Sequence, residues 1–272
     1  MIAVGATIGA LQASLPLGAL ENRIVLCHAL GLSRVSLITQ SERTIDAAEA
    51  AVVAGLVARR LNGEPIAYIV GKREFFGLDF RVSDSVLIPR PDTELLVELG
   101  LERMQQGARV LDMGTGSGAI AVALAHTRPD AAVTALDLSE AALSVARANA
   151  LANGAAVRFL HSDWFAALGT EQFDLIVSNP PYIAAGDRHL SEGDLRFEPL
   201  TALTDQGDGL GALRTIAAGA RQHLQGTGWL LMEHGYDQAR QVQALLTGHA
   251  YTEVQSWRDL AGIERVTGGR AG

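Results

Sequence analysis

The sequence is poor in cysteine: Cys27 is the only one, so no disulfide framework can form within the chain, and the usage fits a reducing cytosol. Basic residues are also short, 22 Lys and Arg against 30 Asp and Glu. The net charge of −8 argues against broad attachment to nucleic acid, which depends on neutralising phosphates, although a local basic patch stays open. Residues 1–20 carry no charged side chain, but they lack the basic stretch a signal peptide requires before Glu21. Gln12, Ser14 and Pro16 also break that run well short of a membrane span, so a soluble amphipathic helix is expected there. The seven histidines have no metal-ligand spacing, and His234, at a strand end, is expected to be structural. No internal repeat or low-complexity tract is visible. What remains is a globular composition, 48% hydrophobic and 19% charged, with room for one large domain and a small one.

Residues 1 to 61 are rich in Ala and Leu, and the apolar spacing around Ile24–Leu30 and Ala51–Leu61 predicts several short helices. Ser41 with Arg43 and Thr44 reads as a helix start before the Ala-rich stretch. Asn62-Gly63-Glu64-Pro65 ends the helical pattern. Residues 66–88 then read as strand segments with turns at Gly71-Lys72 and Gly77-Leu78, a β-hairpin linker. Asp92 or Thr93 is expected to cap a helix running to about Gln105. From Arg109 the rhythm becomes strand, turn, helix. Strands are predicted at 109–112, 132–136, 157–160, 173–178 and 228–233, and helices at 118–126, 139–153 and 209–224. Two further strands, 251–257 and 263–268, close the chain as a hairpin. The pattern predicts an α/β, doubly wound, mainly parallel Rossmann-like sheet behind a small N-terminal helical domain. The boundaries expected are 1–72 for the helical domain, 73–90 for the hairpin linker and 91–272 for the large domain.

Within that rhythm, Val110 through Ile120 is a strand entering a turn with glycines at 114, 116 and 118 and then a helix. Glycine is needed where φ is positive or where a ligand approaches the main chain. The spacing is Gly-x-Gly-x-Gly, not the Gly-x-Gly-x-x-Gly of dinucleotide sites, which favours a nucleoside without a pyrophosphate and disfavours an NAD enzyme. Gly114, Thr115, Gly116, Ser117 and Gly118 are therefore cofactor-binding candidates. Asp137 ends the second strand, where an acid reaches ribose hydroxyls in such folds. After the third strand, Asp163 can accept from an exocyclic amine, and Trp164 offers a flat face to a purine. Each has a plainer reading, Asp137 as a helix cap and Trp164 as packing under a loop.

The fourth strand ends in Asn179-Pro180-Pro181-Tyr182. The prolines fix φ and remove two backbone donors. The Asn179 side-chain oxygen and the Pro180 carbonyl can then accept both hydrogens of one planar NH2 group, in an amide or in a nucleobase. Three strand ends pointing at an adenosine-like ligand, beside this acceptor, make S-adenosyl-L-methionine the expected cofactor and S-adenosyl-L-homocysteine its product.

Several segments resemble the release-factor glutamine methyltransferase family, in family order over about 200 residues. They are Gly63–Tyr68, Gly71–Phe75, Leu87–Glu94, Asp112–Ala121, Ser162–Phe165, Ser178–Ile183, Arg196–Pro199 and Asp259–Gly262. Ile88-Pro89-Arg90-Pro91-Asp92-Thr93-Glu94 is the most specific string; the glycine turn and Asn-Pro-Pro-Tyr occur in many methyltransferases. Met113 stands where Leu is commoner, an exchange that conserves volume. The resemblance implies a helical N-terminal domain that binds release factors, a hairpin linker and a seven-stranded methyltransferase domain. It implies methylation of the glutamine side-chain amide in the Gly-Gly-Gln loop of class 1 peptide chain release factors, and cofactor contacts from Gly114–Gly118, Asp137, Trp164 and Asn179. It also implies a glutamine site at Asn179, Pro180, Pro181 and Tyr182, with Asn179, Pro180 and Tyr182 as the catalytic set. No triad or metal is expected, because an amide nitrogen, its lone pair delocalised, needs positioning more than deprotonation. A cytoplasmic monomer without direct nucleic-acid or membrane contact is expected. A DNA adenine or RNA guanine amino-methyltransferase suits the same acceptor but needs a flipped base and a basic recognition region. A catalytically silent cofactor-binding protein is the remaining alternative. Glu198 is expected either to order a loop over the substrate or to pair with Arg196, and no role is assigned to residues 204–209.

Overall fold

A computed structural model describes residues 2–272, in two units divided between Lys72 and Arg73. Met1, the first residue of the expected helical domain, lies outside the described residues. The first unit is five helices: α1 (Ile8–Ser14), α2 (Ala19–Leu30), α3 (Arg34–Thr39), α4 (Ala47–Leu61) and α5 (Ile66–Val70). Ile8, Leu11, Val25, Leu26, Leu37 and Val53 form its core. The start of α4 differs from the sequence reading. Asp46 is the N-cap: its Oδ1 accepts from Glu49 N at 2.8 Å, and Glu49 Oε2 accepts from Asp46 N at 3.1 Å. This reciprocal box satisfies two end donors, and so displaces Ser41 and Thr44 as the start. Ile66–Val70, read above as strand, is helical. Pro65 precedes it and Gly71, at φ 71°, ends it, so a five-residue apolar run is punctuated as a helical turn.

The division falls one residue into a two-stranded sheet, β1 (Lys72–Phe75) and β2 (Leu78–Arg81), with which the second unit opens. A 3-10 turn at Pro91–Thr93 leads into α6 (Glu94–Arg103), and neither Asp92 nor Thr93 caps it through its side chain. Thr93 is buried and its hydroxyl is engaged elsewhere. The alternating part follows as β3 (Arg109–Met113), α7 (Ala119–Thr127), β4 (Ala132–Asp137), α8 (Glu140–Ala152), β5 (Val157–His161) and β6 (Phe173–Ser178). After it come α9 (Leu200–Leu203), α10 (Gly211–Ala220), β7 (Leu224–Glu233), α11 (Ala239–Gly248), β8 (Tyr251–Arg258) and β9 (Glu264–Ala271). The seven strands β3–β9 make one sheet in the order β5-β4-β3-β6-β7-β9-β8. β3 to β7 run parallel, and β9 pairs antiparallel with both β7 and β8. Central strands such as β3 and β6 are buried along nearly their whole length, as suits their mainly apolar sequences. One core cluster holds Leu96, Val110, Ile120 and Val177, and another holds Leu111, Met113, Ile176, Ile216 and Leu230.

Candidate active site

Because β3, β4, β5 and β6 are parallel neighbours, their carboxyl ends meet along one edge, where open α/β sheets bind ligands. The turn after β3 has Gly114 at φ 70°, Gly116 at φ 55° and Gly118 at φ 82°. A Cβ on Gly118 would lie 3.0 Å from that of Ala146, so this glycine lets α7 and α8 approach. A Cβ on Gly114 or Gly116 would meet nothing within 4 Å, so those two answer to backbone conformation and to open space beside the turn. Gly114 N and Thr115 N both donate to Leu136 O at 2.9 Å. Thr115 Oγ1 donates to Asp112 Oδ2 at 2.6 Å, and Ala121 N reaches the same oxygen at 3.2 Å. Burial pushes the Asp112 carboxyl up to about 7 against these hydrogen bonds. Asn149, fully buried on α8, donates to Ser117 O at 2.8 Å and to Arg81 O at 3.0 Å, and accepts from Arg81 N at 2.7 Å. One amide thus joins the glycine turn to β2.

Asp137 Oδ2 accepts from Gly116 N at 2.8 Å and its Oδ1 from Ser139 N at 2.9 Å. Burial still raises its carboxyl above the ordinary carboxylate range. The cap of α8 is Ser139, whose side chain accepts from Ala142 N, so the helix-cap reading of Asp137 falls. Trp164 has φ 46°, in the left-handed region that bulky residues avoid. Ser162 Oγ supports that turn, donating to Trp164 O at 2.8 Å and accepting from Ala167 N at 3.0 Å.

At the end of β6, Ser178 Oγ donates to Met113 O at 2.7 Å and pins the strand end to β3. Asn179 Nδ2 donates to Thr93 Oγ1 at 3.1 Å. The Tyr182 hydroxyl donates to Glu233 Oε1 at 3.2 Å, and burial raises the phenol further above its ordinary range. Gln238 Nε2 donates to Tyr182 O at 3.0 Å. A cavity of about 520 Å³ runs along these strand ends, within the size range of small-molecule sites. Gly114–Ser117, Asp137, Asp163, Trp164, Asn179 and Pro181 line it, while Gly118 faces Ala146 instead. Pro180 and Tyr182 line a second pocket of about 60 Å³, which Asn179 also borders. Asn179 therefore stands between a large cavity and a small one.

The sequence raised Glu198 as a loop-ordering residue but did not reveal its partners. Glu198 Oε2 accepts from Ile88 N at 3.0 Å, and its Oε1 pairs with Arg90. Burial raises the Glu198 carboxyl, with Arg90 opposing. The ion pair seen at Glu198 is with Arg90, and the Arg196 guanidinium lies 4.9 Å from the Phe197 ring centre. Glu233 was missed: it is buried and pushed up to about 7, and nothing local in the sequence marks it. His234 is buried, with Nε2 2.7 Å from Thr267 Oγ1 and Nδ1 2.9 Å from Gly235 O. Burial lowers its pKa, as suits a structural imidazole.

The sheet order, the glycine turn and the cavity define a methyltransferase. The methyltransferase small domain model matches residues 91–194, and the PrmC N-terminal domain model matches residues 8–71. A methyltransferase structure from Pyrococcus furiosus aligns with a TM-score of 0.57 at 21% identity, covering 80% of this chain and 99% of that one. A complex from E. cuniculi responsible for methylation of the eRF1 translation termination factor aligns at 0.50 and 20% identity, covering 69% and 99%. These two likenesses concern the fold. A release factor glutamine methyltransferase of Burkholderia pseudomallei (strain K96243) is 55% identical over 274 residues, covering 97% of this chain and 96% of its own length. The chain belongs to the release factor glutamine methyltransferase family.

Proposed function

We propose that this protein methylates the side-chain amide nitrogen, N5, of the glutamine in the Gly-Gly-Gln loop of class 1 peptide chain release factors, using S-adenosyl-L-methionine, and so supports translation termination. The observation that carries this reading is the position of Asn179, bordering both the large cavity and the small pocket lined by Pro180 and Tyr182. In this reading the large cavity takes the cofactor and the small one takes a glutamine side chain. The glycine turn offers its backbone to the cofactor, Asp137 its ribose contacts, Asp163 an acceptor for the exocyclic amine and Trp164 a purine-facing ring. Asp137 suits ribose binding because its carboxylate borders the cavity and, while accepting from Gly116 N and Ser139 N, has capacity for further donors.

When bound, the cofactor supplies an electrophilic methyl carbon. The protein supplies position and charge complementarity. Asn179 Oδ1 and the Pro180 carbonyl accept the two N–H groups of the substrate amide and aim its nitrogen. As that nitrogen gains positive charge its hydrogens become more acidic, and the same two acceptors hold it more strongly than they held the ground state. Tyr182 packs against the substrate side chain and keeps water out. Pro181 keeps the turn rigid.

The helical unit is the proposed release-factor-binding domain, residues 73–90 the linker and 91–272 the methyltransferase domain. Among the described residues no helix is long and apolar enough to cross a membrane. With a net charge of −8, the reading extends to a cytoplasmic monomer that does not bind nucleic acid directly. The test is incubation with labelled methyl donor and purified release factor, beside a variant whose Gly-Gly-Gln glutamine is alanine. Labelling of the first alone is expected; equal labelling of both overturns the target.

A further inference from the structure

Thr93 takes no part in the chemistry above, yet its residue is only 4% exposed and its Oγ1 accepts from Asn179 Nδ2 at 3.1 Å. A threonine hydroxyl has one hydrogen and spare lone pairs, so what it donates to decides what it can accept. Glu233, at the end of β7, is buried; its Oε1 accepts from the Tyr182 hydroxyl at 3.2 Å, its Oε2 has no hydrogen-bond partner among the described residues, and the Thr93 hydroxyl is near enough to favour its charge. A carboxylate only accepts. Asn179 offers its NH2 to a Thr93 lone pair and so directs Oδ1 elsewhere, which leaves the single Thr93 hydrogen for the unpartnered Glu233 Oε2.

We infer that Thr93 and Glu233 are positioning residues, which set the Asn179 amide with its oxygen toward the substrate and tether the Tyr182 ring by its hydroxyl. The inference rests on the amide-acceptor reading of Asn179. It also gives Glu233 a protonation dependence. The charged groups acting on it are Asp92, which raises its pKa, and Arg265, which lowers it; with burial they leave it at about 7. Protonated Glu233 donates a hydrogen of its own. The Thr93 hydrogen is then free to turn to Asn179, and the amide loses its set orientation. The substitution Glu233→Gln imitates that protonated state at every pH.

The test uses the full chain and its release factor, with kinetics for Thr93→Val, Thr93→Ser, Glu233→Gln and Asn179→Ala, and calorimetric titration of the methyl donor. Thr93→Val and Glu233→Gln are expected to lower kcat by roughly 10- to 100-fold, the scale of lost positioning. Donor Kd and melting temperature stay near wild type, and Thr93→Ser restores most of the rate. Wild-type kcat falls as pH drops through about 7, and Glu233→Gln loses that limb. Wild-type kcat in both Thr93→Val and Glu233→Gln overturns the inference. So does a loss of donor affinity and melting temperature in step with rate, which is a folding role. Full turnover by Asn179→Ala overturns the amide-acceptor reading itself, a separate failure.

Discussion

Asp137 shows how one side chain can hold a turn and still border a cavity. Its carboxylate anchors Gly116 and Ser139 and borders the cavity, and burial works against its charge, so a ligand donor there meets a strong acceptor. Hydrogen bonds to charged groups are worth about 1.5–3 kcal/mol, so Asp137→Ala is expected to weaken methyl-donor binding by roughly 10- to 100-fold. Calorimetric titration checks it, and an unchanged Kd counts against ribose contact. Asp137 was legible in the sequence because its place follows from strand order: an acid closing the strand after a glycine turn. Thr93 and Glu233 were not. They lie in different elements with no shared spacing, and only the folded chain brings them together around Asn179 and Tyr182. The oddly specific Ile88–Glu94 string has a physical basis that the sequence conceals. Arg90 pairs with Glu198, Asp92 with Arg265, Thr93 takes the Asn179 amide, and Glu94 Oε1 accepts from Phe76 N at 3.0 Å. Each polar side chain ties the string to a different segment.

Among the elements, the parallel strands and their helices were readable because runs such as Leu175-Ile176-Val177 within Phe173–Ser178 are apolar and the strand ends at turn residues. Short elements were harder. Ile66–Val70 has too few residues for a period to show, and its capping glycine decides the outcome. The 204–209 loop received no role from the sequence, yet it backs the Asn-Pro-Pro-Tyr turn. Ile183 N donates to Leu203 O at 2.9 Å, and Ala185 N to Gly207 O at 2.9 Å. Asp205 gathers the Gly207, Gly209 and Gly211 amides on its carboxylate. At Gly209, φ is 78° and a Cβ would lie 2.4 Å from Tyr182 O. Gly209→Ala is therefore expected to cost about 1–3 kcal/mol, as overpacking does, and to lower kcat by shifting the turn. Urea unfolding with parallel kinetics measures both. A variant as stable and as fast as wild type removes the loop from the site.

For the whole molecule, the buried acids set a pH dependence opposite to that of ordinary ion pairs. Asp112 and Glu233 sit at about 7 in the folded chain, against 3.8 and 4.5 for the free groups. Between those values the folded state holds protons that the unfolded state releases, so stability falls as pH rises through that window. Exposed Asp208, held at about 2 by Arg214, acts only at lower pH, where it works the other way. The net charge of −8 adds repulsion at the alkaline end. Calorimetric melting temperature is thus expected to decline from about pH 5 to about pH 8. Asp112→Asn should flatten the slope, and a melting temperature that climbs over this range contradicts the assignment.

Asn149 carries a consequence for how the cofactor site responds to its ligand. Because one buried amide holds both Ser117 and Arg81, the glycine turn takes its shape when the chain folds, not when the ligand arrives. Little chain entropy is then left for binding to overcome. Slow amide exchange at Gly116 and Gly118, whose N–H groups reach Asp137 and Thr115, should already be present in the ligand-free protein.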